Sequence, residues 1–230
     1  MAAALDTSLL DNIVWHTLSG AQSRFSAGNA RARRYAAGLP ALAAFPDRHQ
    51  PDLDALAPFC EAADRIFTTF WTGPVPSGWR VEVETSAEQY VWDREMPPAD
   101  PAPEAVRLDA RHAERMVELA TLTRPGPTGP RQFELGEYYG LFDGERLLAI
   151  AGERMHAGNF REVSLVCTHP DFQGRGLARR LTEKVVRLQM GRGQVPFLHV
   201  MAANSAARAL YERMGFRRHQ NVPLRVLARD

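Results

Sequence analysis

A hinge of small residues, Gln173-Gly174-Arg175-Gly176-Leu177-Ala178, lies between a strand-like run and a long amphipathic stretch, and it constrains the fold more than any other segment. The run before it, Glu162-Val163-Ser164-Leu165-Val166-Cys167-Thr168, reads as a buried strand, and a helix follows from about Gly174 to Gly191. Small residues at a helix start let a ligand approach the backbone and leave N–H groups without partners. Those donors, with the positive end of the helix dipole, suit a phosphate or pyrophosphate. A dinucleotide-binding turn is the competing reading, but it requires a small residue at 179, which is Arg179.

A chain of 230 residues can bury one large core or two small ones. Its 45% hydrophobic and 24% charged content is that of an ordinary globular protein. A formal charge of +1 gives no reason to expect nucleic acid or an acidic membrane as partner. No apolar run reaches the ~18 residues a spanning helix needs, and the first residues lack a basic segment followed by an apolar block, so a cytoplasmic protein is expected. Cys60 and Cys167 are too few for a disulfide framework, and the seven scattered histidines have no zinc spacing, so no metal is expected.

Met96-Pro97-Pro98-Ala99-Asp100-Pro101-Ala102-Pro103 cannot continue a helix or an inner strand, and it reads as a linker between halves 1–98 and 104–230. In the first half, residues 9–18 carry a helical apolar face, Asp52 caps a helix over 53–63, and 65–71 and 79–84 read as strands. This small α/β unit completes the core, forms a lid or supports a homodimer, and the sequence does not choose among these. The second half reads as a strand at 106–108, a helix capped by Asp109 and a Pro/Gly loop at 124–130. Strands at 138–142 and 146–155 follow, joined at Asp143-Gly144, then the strand and helix around the glycine hinge. A strand at 197–201, a helix from Asn204 to about Met214 and terminal strand material over 216–227 complete it.

Asn204 opens its helix directly after a strand, and Tyr211 follows seven residues later on the same face. With the glycine hinge, this order resembles the GNAT superfamily of acyl-CoA N-acyltransferases. The family's Gln/Arg-x-x-Gly-x-Gly/Ala signature is matched by Gln173, Gly176 and Ala178, with Gly174 as an added small residue. The resemblance covers about 106–230. Glu162 to Pro170 and the loop at 124–130 look closest to the glycine-N-acyltransferase-like bacterial branch, in which the N-terminal half is a degenerate GNAT-like unit. It implies an α/β fold with a mixed, largely antiparallel sheet flanked by helices, and acetyl-CoA as co-substrate. Backbone groups of Val166 and Thr168 would then pair with the pantetheine arm like an added strand, in a cleft where 162–168 splays from 197–201. The amides of Gln173, Gly174, Arg175, Gly176, Leu177 and Ala178 would hold the pyrophosphate. Of Arg175, Arg179 and Arg180, two are expected to be solvated rather than bound to phosphate. Asn204 would hydrogen-bond the pantetheine while capping its helix, and Tyr211 would give a proton to the departing thiolate. The implied reaction is direct transfer of an acetyl group to a primary amine of a small molecule or peptide. The alternative is a non-catalytic acyl-CoA-binding or regulatory module.

An alkylamine is mostly protonated at pH 7, so a base must take its proton before attack. Glu162, eleven residues before Gln173, stands at the spacing of the glutamate that does this in the histone-acetylating members of the superfamily; Glu153 and a water are the alternatives. If Ala157-Gly158 centres the hairpin, Glu153 faces Glu162, and two facing carboxylates raise one pKa to that of a base. If 157–159 form a three-residue turn, Arg154 faces Glu162 and lowers it. The first register, with Glu162 as base, is the expected one. Cys167 alternates out of phase with Val166 and Thr168 and is expected to pack as a small hydrophobe, and His169 is expected to be a turn residue. Glu134, Glu137, Tyr138 and Tyr139 are candidates for an acceptor pocket.

Overall fold

In the computed structural model, which describes residues 5–230, the chain enters through a 3-10 turn (Ser8–Asn12) and helix α1 (Ile13–Ser19). The first four residues of the expected N-terminal half lie outside the described ones. A small antiparallel sheet follows, built of β1 (Ser26–Gly28), β2 (Arg33–Tyr35) and β3 (Ala43–Ala44). Next come α2 (Leu53–Leu56), β4 (Ile66–Thr69) and β5 (Trp79–Trp92). Asp52 caps α2, its carboxylate accepting from the Ala55 amide at 2.8 Å. The helix ends well before residue 63 because Pro58 converts the next turn to 3-10 geometry, where its missing N–H costs no helical bond. The remaining elements are β6 (Val106–Leu108), α3 (Ala113–Thr123), β7 (Tyr138–Asp143), β8 (Arg146–Ala157), β9 (Phe160–Thr168), α4 (Leu177–Gly191), β10 (Val195–Met201), α5 (Ser205–Met214) and β11 (Phe216–Arg229).

The main sheet has the order β4-β11-β5-β10-β9-β8-β7-β6. All its pairings are antiparallel except β9 with β10. This is the mixed, largely antiparallel α/β architecture expected, but the linker does not divide it. β5 comes from the first half, yet it lies between β10 and β11 and is hydrogen-bonded to both. Its expected end near residue 84 was short by eight positions because its middle, Val83 to Ser86, runs from exposed to half-buried without alternating. The proline-rich segment is a strap on α4: Arg180 Nε donates to the Pro101 carbonyl at 2.9 Å, and Arg187 donates to that of Pro97.

Two layers of helix cover the sheet. On one face α4 and α5 bury Leu181, Val185, Val186, Tyr211 and Met214 against Tyr90, Leu198 and Val200. On the other, α1 packs beside Tyr35, Phe160 and Phe197, and α3 beside Tyr138, Ile150 and Leu165. Each such fully buried aliphatic side chain stabilises the fold by roughly 1.5–3 kcal/mol. The N-terminal segment is tied down by Gln22, whose amide donates to the carbonyls of Leu135 (3.1 Å) and Arg154 (2.6 Å) and accepts from the Tyr35 hydroxyl (2.6 Å).

Candidate active site

The cleft begins where β9 and β10 part. Their parallel pairing runs Val195↔Phe160, Pro196↔Arg161, Phe197↔Glu162 and then stops, although both strands continue to Thr168 and Met201. The backbone beyond is paired only on its outer sides, to β8 and β5. A bulge drives the splay. Gly152 pairs with Ser164 but Ile150 with Cys167, so Leu165 and Val166 together oppose Ala151. Leu165 sits at φ 52°, a left-handed conformation that costs a branched residue about 1–2 kcal/mol.

Into this split opens a cavity of about 420 Å³. One end is walled by Val166, Thr168, Gln173, Asn204 and Tyr211, which the structure brings together. The Thr168 hydroxyl is buried there without a hydrogen-bond partner. Asn204 Oδ1 accepts from the Ala207 amide at 3.1 Å, capping α5 and leaving its amide nitrogen free for a second bond. Above, Gly174 (φ 76°) and Gly176 (φ 74°) bring the chain into α4. A side chain at either would meet nothing within 4 Å, so this backbone stands open. The first helical bond is donated by Arg180 to the Gly176 carbonyl, and no side chain caps the helix. The amides of Leu177, Ala178 and Arg179 therefore have no acceptor inside it. Arg179 is paired to Glu183 and Arg180 to Glu104, whereas Arg175 lies over the Phe172 ring at 4.7 Å. An open, uncapped tip leading into a strand-lined split fits a diphosphate with an extended amide-bearing arm.

Tyr211 is buried, and burial pushes its phenol pKa upward, so the hydroxyl holds its proton. It makes no hydrogen bond to another described residue and is free to donate. Cys167, pushed up to about 11 by burial, packs with Met116 and Leu119 as a thiol. His169 is a turn residue, its ring accepting from the Asp171 amide at 3.2 Å.

Glu162 needs correction. The hairpin turn is Gly158-Asn159, flanked by Ala157↔Phe160. Gly158 takes the first turn position at φ 55°, which Ala157 would occupy only with strain. A second bulge follows: Glu153 pairs with Val163 but His156 with Arg161, so Arg154 and Met155 share the place opposite Glu162. Neither expected register occurs. Glu153 is paired instead to Arg161 (3.1 Å) and to Arg192. Arg154 forks onto Glu162 through Nε and Nη2, both at 2.8 Å. Burial alone would raise the Glu162 carboxyl, but the Arg154 charge and hydrogen bonds outweigh it and hold it at about 2. It is a carboxylate too weakly basic, and too enclosed at 1% exposure, to take the amine's proton itself.

The residue that Glu162 presents to the cavity is His199, which the sequence reading did not single out. Its Nδ1 lies 2.8 Å from Glu162 Oε1, and its Nε2 lies 3.0 Å from the Gln89 amide nitrogen. Gln89 Oε1 accepts from Gln220, so its nitrogen is the donor to His199, which assigns the ring proton to Nδ1 and the Nε2 lone pair to the Gln89 amide. On β10, Leu198 and Val200 pack with Tyr211, while Phe197, and by alternation His199, face the opposite layer. Tyr211 and His199 thus stand on opposite sides of the split. The other end of the cavity is lined by Ile13, Val14, Leu42 and Phe70 from the first half, with Val222 and Leu224 from β11. Glu134, Glu137, Tyr138 and Tyr139 do not line it: Glu134 pairs with Arg131, Glu137 with Arg107 and Arg192, and Tyr139 bonds to Glu137. Among the described residues no group of three or more His, Cys, Asp or Glu is placed to hold a metal ion, and no helix is long and apolar enough to cross a membrane.

Comparison with known proteins bears on the family and the fold. Residues 138–224 match the profile of the FR47-like protein family. A crystal structure of a GNAT-family protein from Novosphingobium aromaticivorans superposes with a TM-score of 0.85 and 36% identity, covering 96% of this chain and 98% of that one. The chain therefore belongs to the GNAT family of acetyltransferases. The N-alpha-acetyltransferase RimI of Mycobacterium tuberculosis is 29% identical over 140 residues, 59% of this chain and 70% of its own. The ribosomal protein bS18-alanine N-acetyltransferase of Salmonella typhimurium is 42% identical over 84 residues, 32% of this chain and 57% of that relative.

Proposed function

We propose that this chain transfers an acetyl group from acetyl-CoA directly to a primary amine. The observation that carries the reading is the continuity of one cavity from the Gln173 and Asn204 end, past Tyr211, to His199 on the other side of the split. Val166 and Thr168 would pair with the pantetheine arm, Gln173 to Ala178 would hold the pyrophosphate through backbone amides, and Asn204 would add a side-chain bond. The bound donor supplies a thioester carbonyl open to attack. N–H groups of β9 beyond Glu162, where its pairing with β10 stops, would polarise that carbonyl, as preorganised donors do. His199, oriented by Glu162, takes the amine's proton at Nε2, directly or through a water, once Gln89 turns its amide from that nitrogen to its other acceptor, the Leu10 carbonyl, and Tyr211 returns a proton to the leaving thiolate. Holding both reactants in line accounts for much of the remaining acceleration.

The named relatives act on an α-amine and on an alanine of a ribosomal protein; here they support N-acetylation as the reaction type. Kinship with the glycine-N-acyltransferase-like branch rests on the 162–170 strand and the 124–130 loop. Tyr211→Phe is expected to lower kcat by roughly a hundredfold and His199→Gln by a similar factor, with the KM for acetyl-CoA unchanged in both. Thiol release from acetyl-CoA over an amine panel measures this. Acetyl-CoA stabilising the fold while no amine is acetylated would favour a binding module, and stabilisation by NAD instead would reject the family's ligand.

A further inference from the structure

Resting on that reading, the acceptor end of the cavity specifies what amine it takes. Ile13, Val14, Leu42, Val222 and Leu224 form its floor, and none is more than 8% exposed. Phe70 adds an aromatic wall from φ 66°, held by its amide donating to the Pro223 carbonyl at 2.8 Å and by the Arg48 guanidinium 4.4 Å from its ring. Phe70, Arg124 and Leu165 are the described non-glycine residues at positive φ, and all three line this one cavity. Strain of that kind persists where surrounding packing holds it for a purpose. No aspartate or glutamate lines the space, so a second ammonium group would find no counter-charge there.

Several polar residues border the cavity, Thr69, Arg154 and His199 among them, and Gln132 stands out by its unspent hydrogen bonds. Gln132 is 2% exposed and borders the cavity, yet neither its amide nitrogen nor its oxygen has a partner. The Tyr138 hydroxyl lies close enough to interact with Gln132, but the two make no hydrogen bond of good geometry, and the hydroxyl is likewise buried without another partner. Native proteins satisfy nearly all such groups, so a free donor and a free acceptor on one side chain point to a ligand bearing both. Sites built this way discriminate strongly against analogues lacking the group.

We propose that the acceptor is a small monoamine with an apolar body and one neutral group, a hydroxyl or carboxamide, that both donates to and accepts from Gln132. A polyamine has the wrong charge for this chamber, and a protein N-terminus would have to seat the chain behind it against a buried apolar floor. The test compares phenethylamine, tyramine, phenylalaninamide, spermidine and a hexapeptide with N-terminal alanine as acceptors, with acetyl-CoA as donor. Tyramine or phenylalaninamide should exceed phenethylamine in kcat/KM by tenfold or more, with spermidine and the peptide below all three. In Gln132→Leu that ratio should fall to near one while the affinity for acetyl-CoA, read by thermal shift, stays within twofold. Val14→Phe, which fills the floor, should raise the KM of every aromatic amine and leave the acetyl-CoA shift in place. A preference for spermidine or the peptide overturns the proposal. So does a Gln132→Leu enzyme with weakened acetyl-CoA binding and an intact acceptor ratio, because the amide would then serve the donor's arm. Failure to acetylate any amine, with acetyl-CoA still bound, rejects the catalytic reading itself and this inference with it.

Discussion

Arg154 and Glu162 bury opposite charges at 2.8 Å in a forked pair, with His199 on the remaining side of the carboxylate and the Arg154 Nη1 reaching the Pro127 carbonyl at 3.4 Å. Removing one partner of such a pair leaves the other uncompensated. Glu162→Gln is expected to destabilise the protein by about 3 kcal/mol or more, which at this size lowers Tm by roughly 6–12 °C. Thermal unfolding of the variant and of His199→Gln measures it, and the histidine change should cost far less. The sign with pH follows from the carboxyl being held at about 2 in the fold, below its ordinary 4.5. Its contribution is complete above the unfolded value and is lost as pH falls through about 2. Tyr211 and Asn204 were legible in the sequence because a helix cap and a seven-residue spacing are local signals. The state of Glu162 was not, because it depends on a bulge at Arg154 and Met155 that no periodicity announces. The Gly158-Asn159 pair is a hairpin-turn signal that, read before Ala157-Gly158, places the turn correctly. His199 and Gln132 carry no local signal: one is a polar residue in a strand, and the other matters only through what it fails to bond.

At the scale of elements, the bulge in β9 and the uncapped tip of α4 are two ends of one device. The first opens backbone for the arm of a donor, and the second offers amides to its charged head. Both depend on positive φ, at Leu165 and at Gly174 and Gly176. Gly176→Val is therefore expected to strain the tip and weaken its contacts. The KM for acetyl-CoA should rise about tenfold, the equivalent of one hydrogen bond to a charged group, with little change in the KM for the amine. Initial rates with each substrate varied in turn separate the two. The hinge was legible from composition because glycine is the residue such a turn demands. The Leu165 bulge was not, since a leucine in a strand-like run gives no sign of a left-handed turn.

Over the whole molecule, the proline-rich linker read as a boundary is a strap, and the two halves share one sheet. What misled was chain order: a proline run marks where a strand cannot continue but says nothing of where the preceding strand pairs. β5 makes the longest ladder of the sheet, to β11, as well as its pairing with β10. A fragment of 104–230 would leave both partners with bare edges and is expected not to fold cooperatively. Far-UV circular dichroism of the fragment through a thermal ramp tests this, and a sharp transition would contradict it.

The same interleaving bears on birth at the ribosome. The strand that ends at Trp92 emerges early, yet one neighbour is complete only at Met201 and the other only at Arg229. At ~5–20 residues per second, that leaves its hydrogen-bonding edges waiting on the order of ten seconds. Nascent chains of this protein should accordingly be clients of whatever holdase stands at the exit tunnel.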